Sequence, residues 1–149
     1  MRTKKILFAL AGAVLLFGFT AIQDDANCNI EELRTKCGPK LDPYNYDVAD
    51  IITAEDKEEG ATIIEREVVL FFDETYRAVF NIEGYAKKLN INVYNKSKKS
   101  KERQAIFSNK DKSENDKQFV LEVPKSRKIY IEYELPVGHG CVFFMLGYK

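Results

Sequence analysis

The most reactive side chains lie close together near the end of the chain. His139, the single histidine, stands in the segment PVGHGC two residues before Cys141. A thiol activated by a histidine base is the nucleophile of one class of hydrolases, but it also needs an orienting carboxylate. The glycines beside His139 favour a turn between two strands, and the chain has no GxSxG, P-loop or HExxH motif. We predict a non-catalytic protein, with a thiol-dependent hydrolase using Cys141 and His139 as the weakest alternative.

Metal and cofactor sites are not predicted. The chain has no CxxC pair and no second histidine, which removes the usual zinc ligands. Residues 111–122 place oxygen ligands at several positions of a calcium loop, but Asp116 stands where that loop needs a glycine. We interpret this segment as a polar hairpin loop and predict neither a metal nor a cofactor.

Three tyrosines are candidates for a ligand platform. Tyr44, Tyr46 and Tyr85 could line a sugar-binding surface, because jelly rolls often serve as lectins. The chain lacks tryptophan, which weakens this idea, and such tyrosines more often pack a terminal arm against a sheet. A carbohydrate-binding jelly roll is therefore the second functional hypothesis.

The formal net charge of zero hides an uneven distribution. Residues 22–60 hold eleven acidic and four basic residues, whereas residues 84–112 hold nine basic and two acidic ones. The basic part fits an anionic partner such as a polysaccharide, a lipid headgroup or a nucleic acid. The alternative is a solvated hairpin tip with the acidic arm nearby. Few aromatic residues interleave with the lysines, so a nucleic-acid partner is not predicted. The patch consists of Lys96, Lys98, Lys99, Lys101 and Arg103.

A short helix is predicted at residues 26–37. Asn27 or Asn29 can cap its first turn, and the dipeptide Gly38-Pro39 is a typical stop signal. The residues that follow, up to Gly60, are acidic and irregular. Residues 22–60 are therefore predicted to form an N-terminal helix and an acidic arm.

Strands dominate the chain from residue 61 to residue 149. Apolar and polar residues alternate in short segments separated by turn signals, most clearly in RKIYIEYELP. The apolar run Val68–Phe72 predicts a strand that is buried on both faces. The fold class is therefore all-β, and residues 61–149 are predicted to form an antiparallel β-sandwich or jelly roll of about seven strands.

Residues 1–21 have the layout of a secretory signal peptide. Basic residues precede the uncharged, mostly apolar run Ile6–Phe19, which is too short to span a bilayer comfortably. The alternative is an uncleaved membrane anchor. Cleavage near Ala21 leaves a chain with a net charge of −3 and no membrane segment. Acidic and polar residues directly before Cys28 do not fit a lipoprotein. We predict an exported protein that is periplasmic, at the cell surface or secreted, and not lipidated.

Three short motifs occur in a fixed order along the chain. They are C-x8-C-x-P-K-L-x-P-Y from Cys28, the pair Tyr76-Arg77 at the start of an apolar strand, and G-C-V-x4-G-Y-K at the end. Together they resemble a family of small exported proteins from Bacteroidota, known chiefly as uncharacterised. The resemblance covers about Cys28 to Lys149 and implies a β-sandwich, without supplying an activity or a cofactor. Relatives often carry a further cysteine on the strand after the Tyr-Arg pair, where this chain reads AVFNIEG.

Export permits disulfides, and three cysteines compete for partners. If Cys28 and Cys37 flank one helix, their Cα atoms lie roughly 13 Å apart. A bridge needs Cα atoms within about 7 Å. We therefore predict that one of these two cysteines bonds Cys141 and ties the N-terminal arm to the final strand. The alternative is that all three are reduced and buried.

These features predict a non-catalytic exported β-sandwich that serves as an interaction or accessory module in the cell envelope. The expected partner is an envelope protein or a polysaccharide.

Overall fold

The computed structural model describes residues 28–54 and 60–149. The predicted signal peptide at 1–21 lies outside the described residues, as do residues 55–59 of the predicted acidic arm. The elements within the described part are α1 (Ile30–Leu41), β1 (Asn45–Ala54), β2 (Thr62–Val69), β3 (Tyr76–Asn81), β4 (Asn90–Tyr94), β5 (Ala105–Ser108), β6 (Gln118–Val123), β7 (Lys128–Leu135) and β8 (Gly140–Tyr148).

Each strand of the first half of the fold pairs with a strand of the second half. β1 pairs with β8, β2 with β7, β3 with β6 and β4 with β5, all antiparallel. This arrangement is one long hairpin that rolls up when β3 also pairs with β8 and β4 with β7. The two sheets have the orders β1-β8-β3-β6 and β2-β7-β4-β5, which is the double-sheet jelly roll of eight strands. The predicted antiparallel sandwich with a short N-terminal helix is confirmed.

β1 is the strand that the sequence prediction did not include. It lies within the stretch predicted to be an irregular acidic arm, which is why the described residues hold eight strands and not about seven. Its pairing with β8 is interrupted by a bulge between Tyr46 and Val48. A bulge shifts the alternation of inward and outward side chains by one residue, and this hides the strand pattern. Ile52 still enters the core between the sheets.

α1 packs on the outer face of the first sheet and gives β8 a second buried side. Asn29 caps it by accepting a hydrogen bond from the amide of Glu32 at 3.2 Å. The helix runs through Gly38-Pro39 and ends later than predicted, because Leu41 extends its apolar face by one more turn. This contact forms a second apolar cluster beside the main core. It comprises Leu33, Cys37, Leu41, Val79, Cys141, Phe143 and Met145.

The rolled hairpin sends its connections to two opposite ends of the sandwich. We call one of them the basic end; its connections are residues 70–75, 95–104 and 124–127. The acidic connection between β1 and β2 leaves at Ala54 and returns at Gly60, at the other end. The two ends lie about 23 Å apart along β2. The connection between β1 and β2 and the basic hairpin at residues 95–104 are therefore attached at opposite ends of the fold.

Candidate functional site

A disulfide ties the start of α1 to β8. Cys28 and Cys141 are bonded, with Cα atoms 5.6 Å apart and a sequence separation of 113 residues. The prediction that one N-terminal cysteine pairs with Cys141 is confirmed. Cys37 is free and buried, and its burial raises the pKa of the thiol to about 11. Cys37 is therefore protonated near neutral pH and chemically inert.

The same disulfide decides the hydrolase alternative. Cys141 is fully buried, and its sulfur is bonded to Cys28. A nucleophilic cysteine must be a free thiolate. The alternative of a hydrolase that uses Cys141 and His139 is therefore wrong, because Cys141 is not a free thiol. His139 lies in the connection between β7 and β8, where its carbonyl accepts a hydrogen bond from the amide of Ala86 at 3.2 Å.

The structure brings two of the three candidate tyrosines together. Tyr44 and Tyr46 line a cavity of about 280 Å³ beside α1, together with Arg34 and other residues. Tyr85 is buried elsewhere, and its hydroxyl donates to the carbonyl of Pro136 at 2.6 Å. A platform made of all three tyrosines is therefore absent from the described residues.

Tyr44 is also engaged by charged neighbours. Its hydroxyl donates to the carboxylate of Glu122 at 2.6 Å. The hydrogen bond raises the pKa of the Tyr44 phenol and lowers the pKa of the Glu122 carboxyl. Arg77 and Lys149 lie 4.5 and 4.7 Å from the centroid of its ring. Of the pair, Tyr46 is the more exposed ring.

Arg103 fastens the basic hairpin to the outer face of the second sheet. Glu65 and Glu132 are directly opposite each other on β2 and β7, and Arg103 contacts their carboxylates at 3.2 and 3.0 Å. Its guanidinium lies 3.4 Å from the centroid of the Tyr94 ring, and the amide of Lys98 donates to Glu65 at 2.9 Å. Like charges directly opposite on a sheet repel. Arg103 offsets the repulsion between the two carboxylates, so within the predicted patch its role is structural.

Folding places a second basic segment beside the hairpin. An open groove of about 420 Å³ lies between the hairpin at residues 95–104 and the turn that leads into β7. Two of its lysines are paired, Lys96 with Glu102 and Lys128 with Glu67. The lining residues are Asn95, Lys96, Ser97, Ser100, Ser126, Arg127, Lys128 and Tyr130.

Five exposed cations around this groove have no carboxylate partner within residues 28–54 and 60–149. Three belong to the predicted patch, in which Lys96 and Arg103 are the paired members. The other two come from the β6–β7 turn, which sequence reasoning missed because nothing in PKSRK indicates that it lies beside the hairpin. The five are Lys98, Lys99, Lys101, Lys125 and Arg127.

An exposed apolar turn follows β2 at the same end. Val69, Phe71 and Phe72 are 65%, 76% and 57% exposed, the three highest values for large apolar side chains in the described part of the chain. The prediction that Val68–Phe72 is a strand buried on both faces is wrong. β2 is an edge strand that ends at Val69, and the chain then turns with the amide of Glu74 donating to the carbonyl of Phe71 at 3.3 Å.

The described residues contain neither a metal-binding cluster nor a membrane-spanning helix. No three or more histidine, cysteine, aspartate or glutamate residues there are grouped so that they could hold a metal ion. No helix in the same part of the chain has the length and apolar character needed to cross a bilayer.

Comparison with known proteins gives a structure of similar fold but no family. No protein-family model matches the chain, and no curated protein matches it in sequence. Among solved structures, the fold is similar to PliG of Aeromonas hydrophila, a periplasmic lysozyme inhibitor of g-type lysozyme. The identity is 16%, the match covers 72% of this chain and 89% of that one, and the TM-score is 0.45.

Proposed function

We propose that this protein is an exported, non-catalytic interaction module of the cell envelope that binds an anionic partner through its basic end. The observation that carries the proposal is a set of five exposed cations that have no carboxylate partner among the described residues. Arg127 lines the 420 Å³ groove, and the other four lie in the two connections that border it. These two connections are separated in sequence and meet only in the folded chain. Such a concentration of one sign of charge attracts an anionic partner and raises its association rate.

The attachment points of the acidic connection support the same conclusion. Ala54 and Gly60, the described residues that flank the connection between β1 and β2, lie at the far end of the sandwich, about 23 Å away along β2. Charges interact weakly in water beyond a screening length of about 8 Å at physiological salt. The net charge of the whole chain therefore does not describe the basic end.

Two features support export. The N-terminal residues have the layout of a signal peptide, and a disulfide such as Cys28–Cys141 persists in oxidising compartments. Membership in the exported Bacteroidota family that the motifs resemble is part of this proposal. A periplasmic or surface location without lipidation agrees with it.

The test is the binding of a soluble polyanion, linear polyphosphate, at increasing salt. The variant Lys99→Glu/Arg127→Glu should bind at least about tenfold more weakly than the wild type, and the salt dependence of binding should become shallower. The matched control Lys87→Glu/Lys112→Glu carries the same change in charge at the other end and should bind like the wild type. Equal losses in both variants, or no binding by the wild type, would reject the basic end as the site.

A carbohydrate-binding module is the second candidate. The observation in its favour is the cavity of about 280 Å³ that Tyr44 and Tyr46 share with Arg34. Binding to a neutral glycan array that is lost in Tyr46→Ala would support it. A blank array, or binding that survives Tyr46→Ala, would count against it.

A further inference from the structure

The exposed apolar turn and the basic groove form one continuous surface. Val69 lies directly opposite Lys128 in the sheet, and Lys128 lines the groove. The amide of Leu70 donates to the carbonyl of Arg127 at 2.9 Å. The amide of Phe71 in turn donates to the hydroxyl of Tyr76 at 3.1 Å, which fixes the start of the turn. Apolar and cationic side chains are thus held side by side at one end of the sandwich.

We infer that the basic end docks on an anionic phospholipid bilayer, with Phe71 and Phe72 entering the boundary between headgroups and acyl chains. This inference rests on the proposed function and names the partner of that site. Lysine and arginine side chains near an anionic bilayer gain attraction from its surface potential. Apolar side chains that enter the interface add to that attraction, and the two together give stable attachment where one alone is weak.

The composition of the surface favours a bilayer over a protein partner. Four of the five unpaired cations are lysines and one is arginine. Protein interfaces are depleted in lysine and enriched in arginine, whereas an anionic bilayer attracts either cation without a fixed geometry. An anionic polysaccharide would satisfy the cations but leave Phe71 and Phe72 in water. Neither ring lines the groove or the tyrosine cavity.

Two acidic residues in the same turn act against the attachment. Asp73 and Glu74 follow Phe72 directly, and Asp73 is exposed. Their charges are outnumbered by the five unpaired cations in the neighbouring connections. Removing one of them, in Asp73→Asn, should therefore strengthen binding to anionic vesicles several-fold.

The chain contains no tryptophan, so a single introduced tryptophan reports its own surroundings. The experiment uses the protein in the form that cells export, with its N-terminus read by mass spectrometry. Phe71→Trp is mixed with vesicles of equal parts phosphatidylglycerol and phosphatidylcholine, and with vesicles of phosphatidylcholine alone. Ile63→Trp, an exposed apolar position at the other end of β2, is the matched control.

The expected result is a shift of tryptophan emission to shorter wavelength for Phe71→Trp with the anionic vesicles only, and no shift for Ile63→Trp. Phe71→Ser/Phe72→Ser should lose at least about tenfold in vesicle affinity while keeping its affinity for polyphosphate. Because both side chains are exposed, circular dichroism should show the wild-type fold. Two results would overturn the bilayer inference and leave the proposed function standing. One is polyphosphate binding without vesicle binding, and the other is vesicle binding that the double substitution does not weaken. If the protein bound neither polyphosphate nor vesicles, both the proposed function and the bilayer inference would be overturned.

Discussion

Breaking the Cys28–Cys141 bridge should lower the free energy of unfolding by about 4–5 kcal/mol. The bridge joins residues 113 positions apart, and closing a loop of that length removes about 16 cal/mol/K of entropy from the unfolded chain, or ~4.8 kcal/mol at 25 °C. Because Cys28 is exposed, Cys28→Ser removes the bridge without opening a cavity. A domain has a total stability of about 5–15 kcal/mol, so this loss is a large share of it.

The assay is urea denaturation followed by circular dichroism for the oxidised protein, the reduced protein and Cys28→Ser. The last two should agree, and both should show a larger denaturant slope, because an open unfolded chain exposes more surface. Cys37→Ala leaves the bridge intact and should preserve the difference between the oxidised and reduced forms. A difference below about 1 kcal/mol would refute the loop-closure argument for this chain.

Three other perturbations test separate parts of the structure. Arg103→Met should cost about 2–3 kcal/mol, since it leaves the largely buried carboxylates of Glu65 and Glu132 facing each other; Arg103→Lys should recover part of this, and a loss in urea denaturation under about 1 kcal/mol would contradict it. The Cys37 thiol, with a pKa of about 11, should be about one part in a thousand thiolate at pH 8 and resist iodoacetamide until the protein unfolds; rapid labelling of the folded protein would argue against its burial. The pKa of Glu122 is lowered in the folded state. The charged carboxylate therefore stabilises the fold above the ordinary carboxyl pKa, and this stabilisation is lost as the pH falls through the lowered value. Glu122→Gln should therefore flatten the fall in melting temperature between about pH 5 and pH 2, and an unchanged fall would show that another group is responsible.

The fold class was predictable from strands such as β6 and β7, which have one buried face and one more exposed face. In β7, Ile129 and Ile131 enter the core while Tyr130 is half-exposed on the other face, and period-two alternation reports such a strand directly. The pairing of Cys141 with an N-terminal cysteine was predicted because export permits disulfides and the rise of a helix argues against a Cys28–Cys37 bond. The choice of Cys28 depends on how α1 lies across the first sheet, which is a tertiary property.

The remaining features depend on neighbours that sequence patterns do not contain. Val68–Phe72 has the composition of a buried strand, but it lies at a sheet edge and runs into a turn, so three of its side chains, Val69, Phe71 and Phe72, meet solvent. Arg103 resembles the lysines around it in sequence, and only the position of Glu65 and Glu132 makes it structural. The groove joins two connections whose proximity follows from strand order.

The rolled hairpin also sets the order in which its pairings can form. β4 and β5 are close in sequence, whereas β1 and β8 are far apart: their pairing brings Asn45 opposite Tyr148. Closing a longer stretch of chain costs more entropy, so the inner pairs form early and β1 with β8 forms late. A chain made from its N-terminus therefore holds β1 and β2 without partners until β7 and β8 appear. Because Cys141 lies in β8, its disulfide with Cys28 can form only after that strand has been made.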